Sequence, residues 1–129
     1  MSSLSRFSPY ALALLRIVAA LLFIEHGTQK LFGFPPRAGG GAAPELFSLM
    51  GLAGILELVG GALVLIGLFT RPVAFVLSGQ MAVAYWMAHG PRSFFPVLNG
   101  GDAAILFCFI FLYIAIVGAG AWALDNRRS

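Results

Sequence analysis

Charge is scarce in this chain. Only 10% of its 129 residues are Asp, Glu, Lys or Arg, whereas 60% are hydrophobic. Soluble domains carry about 25% charged residues, so the balance excludes an ordinary soluble core and points to a polytopic membrane protein. Cysteine is nearly absent. The one thiol, Cys108, lies inside an apolar run. It excludes an intrachain disulfide, a thiolate metal site and the paired-cysteine chemistry of a disulfide-exchange enzyme. Histidine occurs twice, at His26 and His89, without the H-x-x-x-H spacing that would support zinc. No metal is expected. Nor is haem or a nucleotide, since no histidine pair faces another across helices and no Gly-rich phosphate loop is present. Eight Lys and Arg against five acids give a net charge of +3, but they are scattered. Without a basic run interleaved with aromatics, nucleic acid is excluded as a partner. A cleavable secretory signal is also not expected. The first apolar stretch runs on to full spanning length, and no small-residue cleavage site follows a short core.

What the chain has is long hydrophobic runs. At about 20 residues per crossing, four helices fit this length and six do not. The pattern predicts helices over 9–32, 45–69, 72–89 and 102–124, in a single all-α domain over 1–129. The fold class is a four-transmembrane-helix antiparallel bundle. The Pro- and Gly-rich stretches GFPPRAGGGAAP and GPRSFFPVLNGG read as loops. Pro9 suits the first turn of the first helix. Four crossings put both termini and the Arg71 turn on one side, with Arg6, Arg71, Arg127 and Arg128. Lys30, Arg37 and Arg92 lie on the other. The excess of Lys and Arg places both termini in the cytoplasm. The two C-terminal arginines are expected to meet lipid headgroups.

The first span nevertheless carries Arg16, Glu25, His26 and Lys30, and the second carries Glu57. A central Arg, Lys or Asp costs roughly 2.5–3.5 kcal/mol each on insertion scales. At 100° per residue, Arg16, His26 and Lys30 fall within about 80° on one stripe. Gly54 and Gly61 flank Glu57 on one face, which presses the glutamate against a neighbouring helix. Arg16 and Glu57, brought to similar depth, are expected to form a buried pair or to share a water. Near the other end, His26, Lys30, His89 and Asp102 come from three helices and converge. Phe32, Tyr85, Trp86, Phe94 and Phe95 lie at the same depth. Together they describe a polar pocket with aromatic walls, suited to a flat ligand with carbonyl groups, such as a quinone. Histidine there can donate to a carbonyl and exchange protons. Plainer roles stay open. The histidines can be interfacial and water-satisfied, Lys30 can snorkel, Tyr85 and Trp86 can be an aromatic belt, and Arg16 with Glu57 can fix helix register.

Several spacings resemble a known family. They are Arg16…His26-Gly27-x-x-Lys30, Glu57-x-x-Gly60-Gly61…Gly67-x-x-Thr70-Arg71, Asn99-Gly100-Gly101-Asp102, and Gly118-x-Gly120 with Asp125. In order and spacing the set is similar to the DoxX family of small four-helix bacterial membrane proteins, over nearly the whole chain. Many relatives would show glutamate where this chain has the shorter Asp102. The resemblance implies a redox-linked role around quinones, catechols or oxidative and thiol stress. The leading expectation is thus an inner-membrane subunit of a quinone-linked oxidoreductase. His26, Lys30 and Glu57 would be its catalytic residues, and Arg16, His89, Asp102, Asn99 and Trp86 would bind the ligand. Whether the chain itself is an enzyme stays open. Lacking an electron carrier, it would need a soluble redox partner protein. Glycine-lined helices also leave a homodimer open. The alternative is a non-catalytic membrane scaffold or a small proton or solute transporter.

Overall fold

The computed structural model describes residues 3–36 and 48–127, apart from the side chains of Ala88, Arg92 and Asn99. Among the described residues all regular structure is helical. A 3-10 turn, Ser3–Phe7, leads into α1 (Ser8–Phe32), followed by α2 (Leu49–Ile66) and α3 (Thr70–Ala84). α3 runs on through a π-helical stretch, Tyr85–His89, and a 3-10 turn, Gly90–Arg92. A short α4 (Pro96–Asn99) precedes α5 (Asp102–Val117), and a last 3-10 turn covers Leu124–Arg127.

Local chemistry sets these limits. α1 has proline in its first turn and stops at Gly33, whose φ of 68° few other residues adopt. The Gly33 N–H then returns to Gln29 O at 3.0 Å. α2 begins where the Ser48 hydroxyl accepts from Gly51 N at 3.1 Å, and it ends at Gly67 with φ 74°. The expected start at Glu45 lies outside the described residues, and the helix stops at Ile66 rather than Phe69. α3 starts at Thr70, earlier than the predicted Pro72, because the Asp125 carboxylate accepts from Phe69 N and Thr70 N at 2.8 and 2.9 Å. α5 ends at Val117, well short of the predicted Leu124. Gly118, with φ 96°, and Gly120, with φ 76°, turn the chain back across the end of the molecule.

α1 packs on α2, and α3 packs on α5. The first contact is made by small residues. α2 buries Gly51, Gly54, Glu57, Gly60, Gly61 and Val64, one stripe at helical spacing. A Cβ added to Gly27 would lie 2.8 Å from Leu58 N and 3.0 Å from Gly54 O, so backbone meets backbone there. Between the two pairs sit Phe23, Val64, Leu77, Phe111 and Ile114, all essentially inaccessible. The Phe23 ring meets Phe111 edge-on at 4.9 Å. Outward-facing positions are apolar too: Leu14, Leu21, Leu52, Val59, Phe75, Val83, Leu106 and Phe109 are all exposed. An apolar exterior around an apolar core fits lipid as the solvent. Two helical stretches, Ser3–Phe32 and Leu49–Ile66, are long and apolar enough to cross a membrane, while Asp102–Val117 is apolar but shorter.

The start of α1, the end of α2, the start of α3 and the end of α5 share one end of the molecule. There Ala121 N donates to Pro9 O at 3.1 Å and Asp125 N to Gly67 O at 2.8 Å. We call this the strapped end and its opposite the open end.

The α1–α2 contact makes a sharp prediction. Gly27→Ala forces two helix backbones apart and is expected to cost about 1–3 kcal/mol, as overpacking does. Gly79→Ala meets nothing within 4 Å and replaces a poor helix former, so it should be neutral or slightly stabilising. Thermal unfolding of the two purified variants decides. Equal melting temperatures would show that the two helices do not touch as described.

Candidate functional site

The polar groups buried among the helices form two separate clusters. At the open end, Glu57 of α2 is completely buried, and its Oε2 accepts from Lys30 Nζ of α1. The same oxygen accepts from Gln80 Nε2 of α3 at 2.9 Å, and Gln80 Nε2 also lies 3.5 Å from Ala53 O. Three helices are therefore tied at one carboxylate. Lys30 keeps 22% of its side chain exposed, and its stem packs on Gly54. Glycine at 27 and 54 is what lets α1 approach closely enough for the pair to form. Gln80 drew no attention in the sequence because it carries no charge.

The expected pairing of Arg16 with Glu57 does not occur. Arg16 is fully buried, but its guanidinium donates to Ala119 O, to Ala121 O at 3.0 Å and to Trp122 O at 3.0 Å. Arg16 lies about 21 Å along α1 from Lys30 at 1.5 Å per residue, which puts it at the strapped end. The folded-back strap offers carbonyls that no helix uses, and they lie nearer than any carboxylate at the open end. Arg71 works in the same way, donating to Ile116 O and Val117 O at the end of α5.

His26 is exposed and stands edge-on to Phe107 of α5, with 5.9 Å between ring centroids. It closes one end of a groove of about 320 Å3 between α1 and α5, lined by Leu15, Val18, Leu22, Leu106 and Ile110 among others. Among the described residues His26 is the only polar side chain on its wall. Lys30 lies one turn further along α1, about 40° round the helix. Of the remaining expected residues, His89 lies beside the turn into α5, with its Nδ1 3.9 Å from where a Cβ on Gly100 would stand. His89 is half-buried at the end of the π-helical stretch, its ring 6.4 Å from that of Tyr85. Asp102 is exposed in the first turn of α5. Trp86 is 71% exposed. The Asn99 side chain lies outside those described. Phe32, Phe94 and Phe95 are exposed as well, so the expected aromatic walls do not enclose a chamber. They would instead lie at the edge of the lipid. Among the described residues no three His, Cys, Asp or Glu side chains gather to hold a metal ion. Cys108 sits in the α3–α5 contact, where Ser78 Oγ donates to its carbonyl at 2.7 Å.

Comparison with known proteins agrees with a membrane setting. An uncharacterized protein of Haemophilus influenzae is 46% identical over 98% of this chain and 97% of its own length. The uncharacterized membrane protein Rv3486 of Mycobacterium tuberculosis is 31% identical, covering 94% of this chain and 83% of the relative. The inner membrane protein YphA of Escherichia coli is 30% identical, over 92% and 91%. No solved structure matches the chain. The DoxX family model matches residues 11–90, the stretch that holds Arg16, His26, Lys30, Glu57 and Gln80, and with these relatives it shows that the chain is a membrane protein of the DoxX family.

Proposed function

We propose that this protein crosses the bacterial inner membrane four times, with both termini in the cytoplasm, and binds a quinone-like ligand as the membrane subunit of a quinone-linked oxidoreductase. The observation that carries the reading is the α1–α5 groove ending on His26. An apolar trough open to the side suits a lipid-soluble tail. The one polar group at its end suits a ring carbonyl, to which an imidazole N–H donates. Lys30, a turn away, adds a cation beside the Glu57 carboxylate. In this scheme His26, Lys30 and Glu57 hold and exchange protons, and His89 and Asp102 flank the entrance at the open end. Arg16 drops out of ligand binding, because the strap occupies its donors.

The topology follows from the charges. By sequence, Arg6, Arg71, Arg127 and Arg128 belong to the strapped side and Lys30, Arg37 and Arg92 to the other, an excess of one. The positive-inside rule puts the strapped end in the cytoplasm. α3 and its π-helical extension add five residues to a 15-residue helix, giving it spanning length. A soluble redox protein would supply electrons.

The test is ligand binding by the full chain in mild detergent, with a decyl-tailed benzoquinone as probe. Saturable binding with a raised melting temperature is expected. His26→Ala should weaken it at least about tenfold, the loss of about 1.4 kcal/mol, with protein level unchanged. Absence of saturable binding in the parent protein defeats the proposal.

A second reading, a scaffold or small transporter, is favoured by the tie that Glu57 makes between three helices. It expects His26→Ala to be silent and Glu57→Ala to lower the protein level.

A further inference from the structure

Two oxygens at the open end stand without an answering donor. Glu57 Oε1 and Gln80 Oε1 are buried, and neither has a hydrogen-bond partner among the described residues. Lys30 Nζ and Gln80 Nε2 both serve Glu57 Oε2, and Gln80 Nε2 is shared with Ala53 O. A buried acceptor that gave up water and gained nothing is costly, so the place calls for a hydrogen-bond donor. It does not call for a further acceptor.

This bears on which form of a ring ligand fits. A quinone presents two carbonyl oxygens, which only accept. Its two-electron, two-proton reduced form presents hydroxyl groups, which also donate. Resting on the quinone reading above, we infer that the paired oxygens of Glu57 and Gln80 receive the hydroxyl hydrogens of the reduced ring, so that the protein holds the quinol in preference to the quinone. The approach is from the side where Lys30 and Gln80 are only partly buried. Gly27, the residue after His26, packs against Glu57, so the place lies one residue along α1 from the histidine that ends the α1–α5 groove. Gln80 would both touch the ligand and position Glu57. Its amide nitrogen holds Glu57 Oε2, while Oε1 has no partner among the described residues. A site built around a substrate hydroxyl rejects the analogue lacking it far more strongly than an apolar pocket rejects a change of shape.

The test is isothermal titration of the purified full chain, without oxygen, with the decyl-tailed benzoquinone and separately with its hydroquinone. The hydroquinone should bind at least about tenfold more tightly, or about 1.4 kcal/mol. Gln80→Met and Glu57→Gln should each pull that ratio below about threefold by weakening the hydroquinone. Equal affinities in the parent protein overturn the inference and leave quinone binding standing; the oxygens are then answered by water only. A preference that survives both variants also overturns it. If neither form binds, the quinone reading fails and the inference falls with it. Should either variant fail to fold, the ratio in the parent protein still decides.

Discussion

Arg16→Leu is expected to abolish the folded protein rather than trim its stability. The guanidinium is wholly enclosed, and it holds the carbonyls of Ala119, Ala121 and Trp122. Those carbonyls belong to a strap that makes few helical hydrogen bonds of its own. Its path needs left-handed backbone at Gly118, Gly120 and Trp122. Trp122, with φ 56°, is strained there unless something holds it. A hydrogen bond from a charged donor is worth about 1.5–3 kcal/mol, so three lost together amount to roughly 4 kcal/mol or more. That is a large part of the 5–15 kcal/mol by which typical folds persist. The loss also spreads. Once the strap lifts, Asp125 leaves the start of α3 and Arg71 loses the end of α5. Arg16→Lys keeps the charge but not the planar fork that reaches three oxygens at once, so it should fall in between. Yield, monodispersity and melting temperature in detergent give the readout. A leucine variant melting within about 3 °C of the parent, a difference near 1 kcal/mol for a domain of this size, shows that the strap holds without it. Because Arg16 lies far from His26, the lysine variant should bind the quinone probe normally wherever it folds.

The sequence disclosed the helices and the glycine face better than it disclosed the partners. Glu57 between Gly54 and Gly61 announced a carboxylate pressed against a neighbour, and Gly27 and Lys30 are that neighbour. Lipid admits few alternatives to long apolar helices, so the all-helical character of the chain was legible. Arg16 was misassigned because only side-chain charges show as letters. Its real partners are peptide carbonyls, which every residue owns and no residue advertises. Gly118-x-Gly120 was visible as spacing, yet nothing local said that the chain would reverse there and deliver those carbonyls. Gln80 went unnoticed for the same reason, since a neutral amide in an apolar helix becomes informative only when its acid is seen beside it. The convergence of His26, Lys30, His89 and Asp102 was argued from depth alone. Depth fixes the rung on a helix but not which neighbour it faces, and His26 and Lys30 show how much 40° matters. One lies on α5 and the other on α2.

Lys30→Leu should damage the protein more than Glu57→Leu, although each removes one half of the same pair. The two partners are buried unequally: Glu57 is 0% exposed and Lys30 22%. Without glutamate, the lysine can swing its ammonium to the open end and recover water. Without lysine, the carboxylate stays enclosed with the Gln80 amide as its named donor. Breaking a buried pair by deleting one partner costs about 3–5 kcal/mol. Lys30→Leu should sit at the top of that range and Glu57→Leu below it. The double variant should recover to within about 1–2 kcal/mol of the parent, because two apolar side chains replace two charges in lipid-like surroundings. A double-mutant cycle of unfolding free energies supplies all four corners. Additive losses, or equal single losses, would mean that the contact does not act as a buried pair. The recovered double variant also separates the two functional readings. It restores the packing between α1 and α2 but lacks both charges of the pair beside the groove. A scaffold should work as before with such a core, whereas a quinone site should be folded, stable and unable to bind its ring.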